Sequence, residues 1–411
     1  MHKILVVYGT RPEAIKLAPV IRALQESPIL EPIVAVTGQH RSMLDQVNAL
    51  FGITPRYDLD LISARPNLAG ITSGVLEGLG PILAAERPDL VVVQGDTTTV
   101  FSAALAAFYA QIPVAHVEAG LRTRDRYDPF PEEINRCLTT ALSSLHLAPT
   151  SMSRANLLAE GVHPSAIHVT GNTVIDALLE VTARGLPPTN AALAGIRGFD
   201  RVVLVTSHRR ENWGEPMARI SRAVARLALA FPRVVFVVPA HLNPTVREVL
   251  LPPLAGLPNV LVTDPLDYVD MVFILAASFI VITDSGGVQE EAPSLGKPVL
   301  VLRETTERPE AVSAETVRLI GTDEERIVQE AARLLRDPVA YDAMARAVNP
   351  YGDGRAAGRI VAVIENFFGS GALPDEFSVP DVLAPDAPGV EDDTALEPRL
   401  RDGLELVVVD E

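Results

Sequence analysis

The feature that most constrains this chain is an alternation of short β-branched runs with helical patterns, which occurs twice. In the first half, five apolar runs indicate buried parallel strands: Ile4–Tyr8, Ile33–Val36, Leu90–Val93, Val114–Val117 and Ile167–Thr170. Helical patterns separate them, at Ala14–Leu24, Met43–Phe51 and Val100–Ala110. After Gly171 the alternation restarts, with strands predicted at Arg201–Thr206, Val234–Val238, Val260–Thr263, Phe279–Thr283 and Val299–Leu302. Two such arrays predict an α/β protein with two Rossmann-like, doubly wound domains that face a cleft.

The length of the chain supports this division, because 411 residues exceed what one compact core usually holds. We predict an N-terminal domain at 1–172 and a C-terminal domain at 173–354. A helix at 355–368 is expected to cross back to the N-terminal domain. The remainder, 369–411, is rich in proline and acidic residues, so it is expected to be largely disordered.

The charge of the chain argues against nucleic-acid binding. Twelve acidic and two basic residues from Gly371 onward account for −10 of the net charge of −17, which leaves about −7 for the folded part. A folded part with this negative charge lacks the basic face that binds the phosphate backbone of nucleic acids. The single cysteine, Cys137, excludes an internal disulfide and is typical of a reducing compartment. Apolar stretches such as Val269–Val281 are too short to cross a membrane, so a cytoplasmic location without membrane contact is predicted.

Polar residues follow several strands of the first array, at the end of a doubly wound sheet where ligands bind. Arg11 and Lys16 lie near the start of the helix after the first strand, where anions are favoured. Asp96 follows the third of these strands, either as a functional carboxylate or as the cap of the next helix. Glu118 ends another strand and has no capping role, which favours function. Glu132 opens a helix after Pro131, a position also typical of partners for the helix dipole.

The second array carries a sharper signal, the turn Asp284-Ser285-Gly286-Gly287 between a strand and a helix. Two glycines before open helical N–H groups predict a binding site for an anion such as a diphosphate. His208, after the first strand of this array, and Arg308, after the last, are placed to meet phosphate oxygens. Glu291, one turn into the helix, is a candidate for holding ribose hydroxyls.

Other common chemistries lack their motifs in this sequence. Neither the dinucleotide-binding glycine pattern nor the P-loop pattern is present, which disfavours NAD binding and P-loop hydrolysis of nucleotides. The histidine and cysteine spacings of zinc sites, the acidic loop of calcium sites and the serine hydrolase elbow are also missing, so no metal is predicted.

These motifs, in this order, resemble the non-hydrolysing UDP-N-acetylglucosamine 2-epimerases. The resemblance covers about residues 1–368 and rests on eight segments: Tyr8–Lys16, Gly95–Thr99, His116–Arg122, Pro131–Arg136, His208–Asn212, Asp284–Glu291, Thr305–Glu310 and Asn349–Gly354. It implies a GT-B-like architecture and a dimer. It also implies interconversion of UDP-N-acetylglucosamine and UDP-N-acetylmannosamine, by elimination of UDP to a 2-acetamidoglucal and re-addition on the other face.

The resemblance also implies roles for individual residues. Asp96, Glu118 and Glu132 match the catalytic carboxylates of the family, and His208 matches a residue near the phosphates. Which carboxylate removes the C2 proton stays open between Glu118 and Asp96, with Glu132 relaying a proton on the other side of the sugar. The positions that match UDP contacts are Arg11, Lys16, Ser285, Gly286, Gly287, Glu291 and Arg308.

Two further sets of positions depart in part from the family. Leu266 and Met271 stand where relatives have a glutamine and an aromatic residue near the uracil. Many bacterial relatives also bind a second UDP-N-acetylglucosamine as an activator. The residues that match this allosteric site are Gln39, His40, Arg65, Arg209 and His241, whereas Ser42 replaces a glutamine of the set.

The chemistry itself fits these residue types. The C2 proton of an N-acetyl sugar has no adjacent carbonyl, so losing UDP from C1 while a base takes that proton forms the alkene without a redox cofactor. The step requires carboxylates that act as base and acid, with cations and N–H groups that stabilise the leaving diphosphate. Three alternatives share the same cleft: a GT-B glycosyltransferase, a hydrolysing epimerase that releases free N-acetylmannosamine, and a non-catalytic sensor of UDP-sugars.

Overall fold

Both predicted arrays form parallel sheets in the computed structural model, which describes residues 1–38, 41–61, 67–306 and 308–379, with the backbone alone at 41–43 and 210. The strands of the first sheet are β1 (His2–Tyr8), β2 (Leu30–Val36), β3 (Tyr57–Asp58), β4 (Leu90–Gln94), β5 (Val114–Val117), β6 (Leu145–Ala148) and β7 (Ile167–Val169). Those of the second are β8 (Arg201–Thr206), β9 (Val234–Pro239), β10 (Val260–Thr263), β11 (Ile280–Thr283), β12 (Val299–Val301) and β13 (Val317–Leu319).

Helices connect the strands on both faces of each sheet. Those near the first sheet are α1 (Arg11–Glu26), α2 (Arg41–Phe51), α3 (Leu68–Glu86), α4 (Thr98–Tyr109), α5 (Glu132–Leu142), α6 (Ser151–Ala159) and α7 (Thr173–Ala183). The later ones are α8 (Glu215–Ala230), α9 (Pro244–Leu250), α10 (Tyr268–Ala277), α11 (Gly286–Ser294), α12 (Pro309–Ser313), α13 (Glu324–Arg336), α14 (Pro338–Ala345) and α15 (Ala356–Phe367). The predicted α/β class is therefore confirmed.

The strand order locates the ligand-binding edge of each sheet. The first sheet runs β3-β2-β1-β4-β5-β6-β7 and the second β10-β9-β8-β11-β12-β13, both with every pairing parallel. In each sheet the order reverses beside the first strand, between β1 and β4 and between β8 and β11. Ligands of doubly wound sheets bind at the carboxyl ends of the strands at that reversal.

Strand β1 shows why the first sheet is buried on both faces. Ile4 and Val6 point into an apolar cluster with Leu17 of α1, while Leu5 and Val7 point into a second cluster. Successive side chains of a strand point to opposite faces, so a run with apolar residues at every position requires helices on both sides. Burying each such side chain contributes about 1.5–3 kcal/mol.

The turn from β1 into α1 is fixed by close contacts. Glu13 is buried and accepts hydrogen bonds from the backbone N–H groups of Gly9 (2.6 Å) and Thr10 (2.8 Å). A Cβ at Gly9 would lie 2.1 Å from the Thr37 hydroxyl oxygen, so only glycine fits there. Pro12 stands in the first turn of α1, where its missing N–H costs nothing.

Three strands escaped prediction from the sequence: β3, β6 and β13. They have two, four and three residues, too few for an alternating pattern to stand out. Helix α7 begins at Thr173, directly after the predicted boundary between the two arrays, and ends at Ala183. Asn172 caps it by accepting a hydrogen bond from the N–H of Val174 (3.1 Å).

Helix α3 corrects the expectation that every apolar stretch is too short to cross a membrane. Its nineteen residues make it the one described helix long and apolar enough for a span by length and composition. Ile71, Val75 and Leu79 of this helix lie in the apolar cluster that contains Leu5 of β1. One face of α3 therefore packs against the sheet.

The segment that follows α15 makes specific contacts over its first part. Phe377 N–H donates to the carbonyl of Val169 in β7 (2.8 Å), and the Glu376 carboxylate pairs with Arg154 (2.5 Å). These contacts attach part of 369–379 to the first sheet, and the expectation that 369–411 is largely disordered stays a prediction. The rest of the predicted tail, 380–411, lies outside the described residues, and the predicted domain boundaries stay a prediction.

Candidate active site

Glu118 lies at the carboxyl end of β5 in a strained backbone conformation. Its φ of 64° falls in the left-handed region that residues with a Cβ rarely adopt, and such strain is common at functional sites. The carboxylate is buried and accepts hydrogen bonds from Lys16 Nζ (2.6 and 2.7 Å), Asn172 Nδ2 (3.2 Å) and the Gln94 amide. Burial raises the pKa of Glu118, but Lys16, then Arg308 and Asn172, outweigh it, so the pKa lies below its usual value.

A second buried carboxylate, Glu290 of α11, lies beside the first. Asn172 Nδ2 donates to Glu290 Oε2 (2.8 Å) as well as to Glu118, and so bridges the two. Arg308 Nε pairs with Glu290 Oε1 at 2.5 Å. Burial raises the pKa of Glu290, with the Glu118 charge adding to the effect, and Arg308 and Lys16 only partly offset it.

Asp96 and Glu132 form the other acidic part of the site. Asp96 does not cap α4, because Thr97 does so by accepting a hydrogen bond from Val100 N–H. Its carboxylate instead pairs with Arg136 through Nε (3.0 Å) and Nη2 (2.7 Å). One carboxylate oxygen of Glu132 is buried without a hydrogen-bond partner, and burial, followed by the Asp96 charge, raises the pKa of Glu132. Glu132 is thus disposed to hold a proton.

The neighbouring Glu133 has a structural role. It accepts hydrogen bonds from the backbone N–H groups of Thr123 (3.1 Å) and Arg124 (2.9 Å) and pairs with Arg136 (3.0 Å). Burial raises its pKa, but those hydrogen bonds outweigh burial and lower it. A charged Glu133 therefore fixes the loop before α5 and orients Arg136 toward Asp96.

Asp284 organises the loop that follows β8. Its carboxylate is completely buried and accepts hydrogen bonds from the Ser207 hydroxyl (2.9 Å), the N–H groups of His208 (3.0 Å) and Arg209 (3.0 Å), and the Asn212 amide (2.9 Å). The His208 ring lies 3.2 Å from the same carboxylate and is half exposed. Asp284 therefore serves the His208 loop and does not itself face an anion.

The glycine turn adds a cation to the open N–H groups from which an anion site was predicted. Neither Gly286 nor Gly287 adopts a positive φ, and both belong to α11. A Cβ at Gly286 would lie 2.5 Å from Arg308 Nη1, so the absence of a side chain makes room for that guanidinium. At Gly287 the nearest atom to such a Cβ is Glu291 Oε2, at 3.9 Å. The turn thus brings a cation against the first N–H groups of α11, a favourable setting for an anion.

The other predicted positions occupy varied surroundings. Glu291 is buried, and burial followed by the Glu290 charge raises its pKa to about 7. Leu266 lies in an apolar cluster and Met271 packs against it. Arg209 belongs to the His208 loop, and the exposed His241 lies 6.5 Å from the Trp213 ring. Three allosteric candidates, Gln39, His40 and Arg65, lie outside the described residues.

Prediction from the sequence missed four residues that hold this site together: Glu13, Gln94, Asn172 and Glu290. Glu13 had the recognisable spacing of a capping box with Thr10. The other three act through contacts with residues 24, 54 and 18 positions away, which no local pattern reveals. Among the described residues, no group of three or more His, Cys, Asp or Glu side chains is arranged to hold a metal ion.

Comparison with known proteins gives a consistent result. A sequence model of the UDP-N-acetylglucosamine 2-epimerase family matches residues 22–365. The UDP-N-acetylglucosamine 2-epimerases of Escherichia coli strain K12 and Salmonella typhimurium strain LT2 are 52% and 53% identical to this chain, over 370 and 371 residues. These matches cover 89% of this chain and 98% and 99% of the relatives.

The solved structures that this chain resembles belong to the same family as its sequence relatives. The UDP-GlcNAc 2-epimerase from Neisseria meningitidis, solved bound to UDP-GlcNAc, superposes with a TM-score of 0.81 at 47% identity, covering 89% of this chain and 100% of that one. The enzyme from Methanocaldococcus jannaschii, in complex with UDP-GlcNAc and UDP, gives a TM-score of 0.74 at 33% identity, covering 89% and 99%. This chain therefore belongs to the UDP-N-acetylglucosamine 2-epimerase family, a family of isomerases with a GT-B-like fold.

Proposed function

We propose that this enzyme reversibly epimerises UDP-N-acetylglucosamine to UDP-N-acetylmannosamine, by elimination of UDP through a 2-acetamidoglucal and re-addition. One observation carries the proposal: a buried carboxylate, Glu118, lies within hydrogen-bonding distance of Lys16, a cation suited to a diphosphate. Elimination requires this pairing, because the base must act at C2 while the leaving group departs from the adjacent C1.

The carboxylates divide the proton transfers between them. We assign the C2 proton to Glu118, because it lies among the cations, with Asp96 as the alternative. The electrons of the C2–H bond then form the C1–C2 double bond, while UDP leaves with the electrons of the C1–O bond. Glu132 suits the other face, because burial raises its pKa and so favours its protonated form more than that of an exposed glutamate. Re-addition reverses these steps on the opposite face.

The departing UDP is assigned to the second sheet and its surroundings. Arg308 and the first N–H groups of α11 supply donors for the phosphates, and the solved relatives were captured with UDP-GlcNAc or UDP. His208, held by Asp284, approaches the same phosphates. We further assign UDP contacts to Arg11, Lys16, Ser285, Gly286, Gly287, Glu291, Leu266 and Met271.

Three finer assignments complete the proposal. No redox cofactor takes part, because elimination and re-addition leave the oxidation state of the sugar unchanged. We propose a cytoplasmic homodimer, with the product used for cell-surface polysaccharides. We also propose that a second UDP-N-acetylglucosamine activates the enzyme through the set that includes Arg209 and His241.

The decisive experiment follows the products by proton NMR after incubation of the protein with UDP-N-acetylglucosamine. The proposal predicts an equilibrium mixture with UDP-N-acetylmannosamine. Free N-acetylmannosamine with UDP would instead indicate the hydrolysing reaction, and turnover only with an added sugar acceptor would indicate a glycosyltransferase. An unchanged spectrum, with intact binding of UDP-N-acetylglucosamine, would leave the sensor as the explanation.

A further inference from the structure

The residues around Glu118 include four side chains of opposite charge. Two cations, Lys16 and Arg308, are paired with two carboxylates, Glu118 and Glu290, at 2.5–2.7 Å. The Asn172 amide donates to both carboxylates, at 3.2 and 2.8 Å, and holds them side by side. All four charged side chains are at most 15% exposed, so their charges are weakly screened by water. The charges of the set cancel.

The same two cations lie where a diphosphate is expected. The Arg308 guanidinium lies against Gly286, at the first turn of α11, and Lys16 is close enough to Glu290 and Arg308 for their charges to shift its pKa. Phosphate oxygens therefore compete with the two carboxylates for the same donors. An anion that enters this set makes it negative unless one carboxylate takes up a proton.

We propose that Glu118 and Glu290 hold Lys16 and Arg308 in the ligand-free protein, and that both cations transfer to the diphosphate when it binds, which leaves Glu118 free to accept the C2 proton. The inference rests on the proposed function for the identity of that proton. In the ligand-free state the Lys16 charge keeps the Glu118 pKa low, so Glu118 is a weak base. The base becomes strong only when the leaving group is in position.

The groups that act on Glu118 come from several neighbouring elements. Lys16 comes from α1, Gln94 from β4, Asn172 from the start of α7, and the charge of Arg308 reaches it from the loop before α12. Asn172 and Gln94 are neutral, so the charges that act on Glu118 are those of the two cations and of Glu290, and the proposal moves only the cations. Glu290 acts through Arg308 and is a positioning residue.

Proton uptake on binding of UDP tests the proposal directly. We expect titration calorimetry in buffers of different ionisation enthalpy, near pH 6, to show that the wild type takes up more protons than Glu118→Gln, by up to about one proton per site. The titration of UDP itself and of Glu291 is common to both proteins and cancels in the difference. Equal uptake by the two proteins would overturn the proposal.

The variant Glu290→Gln gives a second test, because the proposal and a merely structural role predict opposite changes in the affinity for UDP. Weakening the hold on Arg308 should tighten UDP binding on the order of tenfold, whereas a merely structural role for Glu290 predicts weaker binding. The matched control is Glu86→Gln, which neutralises a buried carboxylate paired with Lys3 and Arg56, both at 3.1 Å, and should leave the Kd for UDP unchanged. Weaker UDP binding in Glu290→Gln, with the control unaffected, would contradict the proposal.

The two tests use UDP alone, so they separate this inference from the proposed reaction. Proton uptake that depends on Glu118, in a protein that forms no UDP-N-acetylmannosamine, would support the cation transfer and refute the epimerase mechanism. Epimerisation without such uptake would refute the cation transfer and support the epimerase mechanism. If Glu290→Gln does not fold, the calorimetric comparison still decides.

Discussion

Replacing Lys16 with methionine removes the cation that neutralises Glu118 and leaves a buried charge. The Lys16 ammonium lies 2.6 Å from Glu118 Oε1, and the side chains are 15% and 6% exposed. Removing one partner of a buried pair typically costs about 3–5 kcal/mol. Asn172 and Gln94 still donate hydrogen bonds to the carboxylate, so we expect the lower end, about 3 kcal/mol of unfolding free energy near pH 8.

The sign of the pH dependence follows from the pKa of Glu118. In the wild type the folded pKa is lowered, so the pair stabilises the protein above the unfolded pKa of about 4.3, and this is lost as the pH falls through the folded value. In Lys16→Met the folded pKa of Glu118 is expected to rise above the unfolded one. The penalty is then greatest at high pH and diminishes as acidification protonates the carboxyl.

Urea denaturation followed by circular dichroism, near pH 8 and near pH 5, measures this difference. The double variant Lys16→Met/Glu118→Gln should recover most of the loss, because it leaves no buried carboxylate at position 118 without its cation. Lys297→Met is the matched control, because burial alone lowers the pKa of that lysine. We expect its unfolding free energy to change by no more than about 0.5 kcal/mol. The expectation would be refuted if Lys16→Met lost the same unfolding free energy at both pH values, or if the double variant recovered none of it.

Three further predictions concern the second sheet and the junction with α15. Gly286→Ala should displace the Arg308 guanidinium and weaken UDP binding by about tenfold or more in a calorimetric titration, whereas Gly287→Ala, with 3.9 Å to the nearest atom, should weaken it less. Asp284→Asn should loosen residues 207–212, seen as faster hydrogen exchange there, and lower the unfolding free energy by about 2–4 kcal/mol. Burial raises the folded pKa of Asp176 to about 6, above its unfolded value of about 4, so this group makes stability fall as the pH rises through that window. Asp176→Asn should show a smaller fall in unfolding free energy between those pH values, and an unchanged profile would contradict this assignment.

Ten of the thirteen described strands were predictable from their apolar runs. β8 and β10 have the predicted bounds, and β5 does as well, since each lies between clear turn signals. The short edge strands β3 and β13 were missed because strands of two and three residues carry no periodicity. Their existence depends on pairing with β2 and β12, which local sequence does not encode.

The sequence predicted which strand ends carry the residues of the candidate site, but it did not predict which side chains those residues contact. Glu118 and Asp96 stood out because they follow buried strands. The roles of Asn172 and Glu290 depend on side chains far apart in the chain that meet at the junction of the two sheets. The glycine turn was identified from the open N–H groups at the start of α11, whereas the space that Gly286 leaves for Arg308 could not be read from the sequence.

The central claim is that a carboxylate of this chain removes the C2 proton of a bound UDP-sugar while UDP departs from C1. The most direct measurement incubates wild type and Glu118→Gln with UDP-N-acetylglucosamine in D₂O and follows deuterium at C2 by proton NMR. The account predicts deuterated UDP-N-acetylmannosamine and UDP-N-acetylglucosamine with the wild type, and exchange at least about 100-fold slower in the variant. Epimerisation with C2 protons fully retained would contradict it.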